Sequence, residues 1–148
     1  MVGGKFDRRV SSRTVGLTCL VGLVAFSIVG CFAYYPGTSE VFEEMRHART
    51  EVLSGVTSRE YDRALHWIPI LEEWSRKLEV GFAIRNFELR PYQQMQAYLL
   101  RKKLENLEHA IEAIGSDQEL TEIQREHLDQ LRKQILDNSK RIADAFAS

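Results

Sequence analysis

From Thr14 to Tyr35 the chain reads TVGLTCLVGLVAFSIVGCFAYY, and no charged residue occurs between Arg13 and Glu40. An apolar helix of about 22 residues spans a hydrocarbon layer ~30 Å thick. Tyr34 and Tyr35 stand at its exit, where aromatic rings favour the membrane interface. Pro36 and Gly37 then break the helix. Lys5, Arg8, Arg9 and Arg13 make the preceding stretch basic, with only Asp7 against them. This asymmetry predicts a cytoplasmic N-terminus over 1–13, a spanning segment over 14–35 and a domain over 36–148 on the extracytoplasmic side.

Ile28-Val29-Gly30-Cys31 resembles the signal box of bacterial lipoproteins, in which the cysteine becomes the lipidated first residue of the mature chain. The basic and apolar stretches before it also fit a signal sequence. Phe32-Ala33-Tyr34-Tyr35 departs from the small polar residues that usually follow such a box. The expectation is therefore a retained anchor, with a chain cut and lipidated at Cys31 as the alternative. Cys19 and Cys31 are the only cysteines. The rest of the chain carries no disulfide, no cysteine metal site and no thiol nucleophile.

After residue 40 the sequence is rich in Leu, Glu, Arg, Ala and Gln, residues that lose little rotamer freedom in a helix. No β-branched alternation suggests a sheet. Val41, Met45, Ala48 and Val52 make one apolar stripe on a short helix over 40–54, with Gly55 as its stop. Thr57 and Glu60 have capping-box spacing for a second helix over 58–85. Ile68, Leu71, Leu78 and Phe82 lie on one of its seams, and Pro69 predicts a kink near Leu65. Pro91 suits the first position of a third helix over 91–114. Its Ala97, Leu100, Leu104, Leu107, Ile111 and Ile114 keep an unbroken heptad. Gly115 predicts its end. A fourth helix could be capped by Ser116 with Glu119, or by Thr121 with Gln124, and the periodicity of Leu128, Leu131, Ile135 and Ile142 favours Thr121. Asn138 occupies a seam position, where it would fix register or face water near a frayed end. The expected fold is all-α: an N-terminal membrane-anchor helix followed by an antiparallel helical bundle of three long helices and one short one.

The residues offer little chemistry. The four histidines are His47, His66, His109 and His127. Glu44 and His47 form one E-x-x-H pair, whereas a di-iron bundle needs two. A haem or metal bundle using Met45, Glu44 and His47 is the rival reading. Asp62 with His66 and Glu105 with His109 resemble ordinary exposed helix pairs, and no nucleophile or glycine-rich loop accompanies them. No enzyme, catalytic residue, cofactor or metal is expected, and the net charge of -1 argues against nucleic acid. Two features suggest contact with a partner. Trp67 and Trp74 lie seven apart on one side of the second helix, and buried packing is their plainer role. Arg85, Arg90, Arg101, Lys102 and Lys103 form a basic cluster suited to anionic headgroups or an acidic partner. The leading expectation is a non-enzymatic, membrane-tethered interaction or scaffolding module. It would bind the bilayer through 14–35 and a protein partner, or a second copy, through its helix faces.

Overall fold

In a computed structural model, residues 12–114 and 120–147 are described, and all of the regular structure among them is α-helical. The helices are α1 (Ser12–Tyr34), α2 (Thr38–Ser58), α3 (Tyr61–Asn86), α4 (Pro91–Glu112) and α5 (Glu122–Ala147). The chain divides into two compact units, Met1–Tyr34 and Tyr35–Ser148.

In the first unit, Thr14–Tyr34 forms one helix of 21 residues with a mean hydropathy of 2.4 and none of its span buried. It is long and apolar enough to cross a membrane. Thr18 and Ser27 return their hydroxyls to the carbonyls of Thr14 and Leu23, at 2.9 and 2.8 Å. Those polar groups are thereby satisfied within the helix, as an apolar surrounding demands.

The second unit is an up-down four-helix bundle. Each helix packs on its neighbour in sequence, α2 on α3, α3 on α4 and α4 on α5, while α2 and α5 meet only sparsely. Short connections force consecutive helices to be antiparallel. The heptad stripes converge in one core that includes Val41, Val52, Ile68, Leu78, Leu100, Leu104, Leu107, Ile135 and Ile142. At the end where the chain arrives from α1, Phe146 of α5 meets Phe82 of α3 at 5.1 Å and Phe42 of α2 at 6.5 Å, both edge-on. At the far end Arg132 of α5 donates to the Thr57 hydroxyl of α2 at 2.8 Å.

The first bundle helix is not short. It has 21 residues and runs through Gly55. A Cβ on Gly55 would lie 2.8 Å from the backbone nitrogen of Ala64 on α3, so this glycine lets two helices approach rather than ending one. The expected Thr57–Glu60 capping box is absent as well. Thr57 lies inside α2 and donates to the Leu53 carbonyl at 2.8 Å. The turn is instead a Schellman motif: Glu60 N–H donates to Gly55 O at 2.8 Å and Arg59 N–H to Val56 O at 3.3 Å. Arg59 takes the left-handed position, φ 61, that glycine usually fills. α3 therefore starts at Tyr61 and continues past Pro69, which lies on the exposed side.

α5 is capped as expected by Thr121. Its hydroxyl accepts from Gln124 N–H at 3.3 Å, and Gln124 Oε1 accepts from Thr121 N–H at 2.9 Å. Gly115, Ser116 and Glu119 lie outside the described residues. Asn138 is buried in the α4–α5 seam. Its amide donates to Gln96 O at 3.0 Å, and its Oδ1 accepts from Lys103 Nζ at 2.9 Å. One heptad further along α5, Ala145 O accepts from the buried Gln93 side chain at 2.9 Å.

These contacts generate three stability predictions. Gly55→Ala pushes a methyl into backbone rather than into a flexible side chain, and should cost about 1–3 kcal/mol in urea unfolding. Arg59→Gly relieves the left-handed strain and should stabilise by up to about 1 kcal/mol, less the entropy glycine adds to the unfolded chain. Asn138→Leu looks favourable on apolar area alone. It strips Gln96 and Lys103 of a buried partner, so it should lower stability by about 1–3 kcal/mol. A more stable N138L protein would mean that this polar cluster contributes nothing.

Candidate interaction surfaces

Because α2 and α5 meet only sparsely, a groove of about 360 Å³ lies between them. Phe42, Met45, Leu71, Ile142 and Ala143 supply apolar walls, and Arg46 and Arg49 stand on its α2 side. Arg46 reaches Glu43 at 3.5 Å in an exposed pair. Arg49 is half-buried and has no hydrogen bond or ion pair among the described residues. Burial, then the neighbouring Arg46, lowers its pKa from the ordinary guanidinium value. A cation held in this way, beside apolar walls, suits a ligand or partner with an apolar body and a negative edge.

The tryptophans of α3 are half-buried and pack on the core. His47 of α2 and His66 both stand edge-on to Trp67, at 5.2 and 5.8 Å. Lys77 Nζ lies 4.4 Å from the centre of the Trp74 ring. Each indole thus spends part of its surface inside the bundle and shares the rest with a polar side chain.

The basic residues are dispersed. Arg101 pairs with Glu79 of α3, with both side chains mostly buried. Lys103 turns the other way, to Asn138 and, at 3.3 Å, to the Gln134 carbonyl on α5. Lys102 points outward to Glu105 at 2.9 Å. Arg85 donates to the Tyr35 carbonyl at 2.6 Å, and Arg90 remains exposed at the start of α4. Consecutive residues on a helix point about 100° apart, so a run in sequence is not a patch in space.

Met45 is buried, whereas Glu44 and His47 are exposed, so these three side chains do not converge. Among the described residues no group of three His, Cys, Asp or Glu side chains could hold a metal ion. His109 is exposed between Glu105 and Glu112, at 3.9 and 3.5 Å. Cys31 lies on the exposed surface of α1. The heptad seam between α4 and α5 is consumed inside the bundle, with Leu100, Leu104 and Leu107 fully buried. Sequence reasoning missed Gln93 and Gln96 as buried residues and Arg49 as a groove residue. Gln93 was discoverable, because it lies one heptad before Leu100 and two before Leu107.

Arg49 should be a residue whose removal stabilises the fold. Replacing it with leucine buries a methyl-bearing side chain in place of an unpaired cation, and R49L should raise stability by roughly 1 kcal/mol, read as a higher Tm. A lower Tm would show that the guanidinium holds the groove together.

No protein-family model, curated protein or solved structure matches the chain.

Proposed function

We propose that the chain is a single-pass membrane protein whose helical bundle works by binding rather than by catalysis. Its N-terminus is cytoplasmic and its bundle extracytoplasmic. The observation that carries this reading is the contrast between the two units. α1 presents Leu17, Leu20, Leu23 and Phe26 at 60–81 % exposure, whereas the bundle buries its own stripes. A helix with that surface has no stable place in water, and the basic residues before it favour the cytoplasmic face.

The bundle is read as an interaction or scaffolding module. Its groove between α2 and α5 combines apolar walls with an unpaired cation, which favours a protein partner carrying an apolar segment edged by acidic residues. The half-buried Trp67 and Trp74 offer a second contact, and Lys102 is the basic residue of the run that faces outward.

Fractionation and labelling test the reading together. The bundle has no native cysteine, so Ile123→Cys, at an 80 % exposed position, gives it one. The protein should stay in the membrane pellet after alkaline carbonate, and a membrane-impermeant maleimide should label I123C in intact cells. Labelling only after lysis would reverse the topology. Intact mass then separates a full-length chain from one cut before Cys31 and lipidated. Crosslinking in membranes should give a partner adduct that Arg49→Glu reduces. An undiminished adduct in folded R49E would remove the groove from the proposal.

A further inference from the structure

The most exposed large apolar side chain among the described residues is Phe87, at 94 %. It is also one of two non-glycine residues among them with positive φ, at 55°. It caps the C-terminus of α3, where glycine is the usual residue because it carries no Cβ penalty. A phenylalanine here accepts backbone strain and leaves its ring in water. Neither makes sense for a bundle standing free in solution.

The place of Phe87 in the bundle gives the reason. Only Tyr35, Pro36 and Gly37 separate the last residue of α1 from the first of α2. Three extended residues reach no more than about 10 Å. The bundle pins the first of them. Arg85 donates to the Tyr35 carbonyl at 2.6 Å, and a Cβ built on Gly81 would touch Tyr35 Cβ at 3.5 Å and Pro36 O at 3.6 Å. The chain therefore enters the bundle against the last turns of α3. Phe87 lies six residues beyond Gly81, roughly 9 Å of helix. The same end carries Arg90, exposed, and Tyr92, 49 % exposed, at the start of α4. An aromatic tip with an adjacent tyrosine and a cation has the composition of a membrane-interface anchor.

We propose that the α3–α4 turn is a second membrane contact, in which Phe87 enters the lipid interface with Tyr92 and Arg90 at headgroup level. The proposal rests on the reading of α1 as a membrane helix. Its partner is the bilayer itself. The bundle then has a contact of its own with the bilayer, separate from α1.

Tryptophan reporters at the two ends of the bundle test this in the full chain. Phe87→Trp marks the turn, and Ile123→Trp marks the start of α5, about 36 Å of helix away from that helix's C-terminal end. Each variant is reconstituted into vesicles of phosphatidylcholine and phosphatidylglycerol with and without brominated acyl chains. The signal of Trp67 and Trp74 is removed by subtracting the wild-type spectrum. The expected result is a blue-shifted F87W emission quenched roughly twofold by bromolipid, as for an indole at the interface, with I123W water-like and unquenched. Vesicle-bound protein in which neither reporter is quenched would overturn the second contact and leave the anchor standing. Equal quenching of both would also overturn it, since the bundle would then lie flat on the surface. Protein that does not float with the vesicles would remove the anchor, and the turn contact with it.

Discussion

Each helix of the bundle carries one apolar stripe, and no helix can bury its stripe alone. Everything else in the second unit answers that constraint. The connections are short, so each helix meets the next one first, and three antiparallel seams form in sequence. The fourth seam, between α2 and α5, must close by geometry without a connecting turn. It closes at both ends, through the Phe42–Phe146–Phe82 cluster and through Arg132 with Thr57. Between those ends it leaves the groove that exposes Arg49. The bundle's candidate binding surface is thus a by-product of the order in which the helices can pair.

Apolar stripes set which faces meet, but they are permissive about register, because leucines can slide past leucines. Polar groups restrict that freedom. Between α4 and α5, Asn138 is satisfied only when Gln96 and Lys103 are opposite it, and Gln93 only when Ala145 is. Burial, together with nearby Arg141, lowers the Lys103 pKa, so its hydrogen bonds to Asn138 and Gln134 act where they are hardest to replace by water. Between α3 and α4, Arg101 and Glu79 do the same work. Between α2 and α3 the device is steric. Gly55 admits the backbone of Ala64, and Arg63 bonds Glu51 at 2.8 Å beside that close approach.

The features that could be read from sequence were those with a period. The apolar run of α1, the heptad of α4 and the Thr121–Gln124 box each repeat or space residues in a way only one backbone conformation explains. What was misread had two meanings of equal local plausibility. Gly55 after a helical stripe looks like a stop, and only the position of Ala64 reveals it as a packing residue. Thr57 and Glu60 have the spacing of a cap, yet Arg59 turns the chain first, in a conformation no composition rule assigns to arginine. The basic run of α4 is spread around the helix. Arg101 and Lys103 lie on different sides of α4 and serve different seams. Arg49 was invisible because its role depends on where α5 does not go.

The two units differ in where their apolar side chains lie: exposed along α1, buried in the bundle. The buried core of the second unit runs from Val41 to Phe146. α1 for its part satisfies its own hydroxyls and shows an apolar surface on every side, which suits lipid. The chain allows three residues between α1 and α2 and ties the first of them to α3 through Arg85. The Arg85 guanidinium secures the Tyr35 carbonyl within the second unit, so the backbone ahead of α2 is held by the same side of the bundle that ends α3. One short segment thus both ends the apolar helix and begins the bundle's own packing.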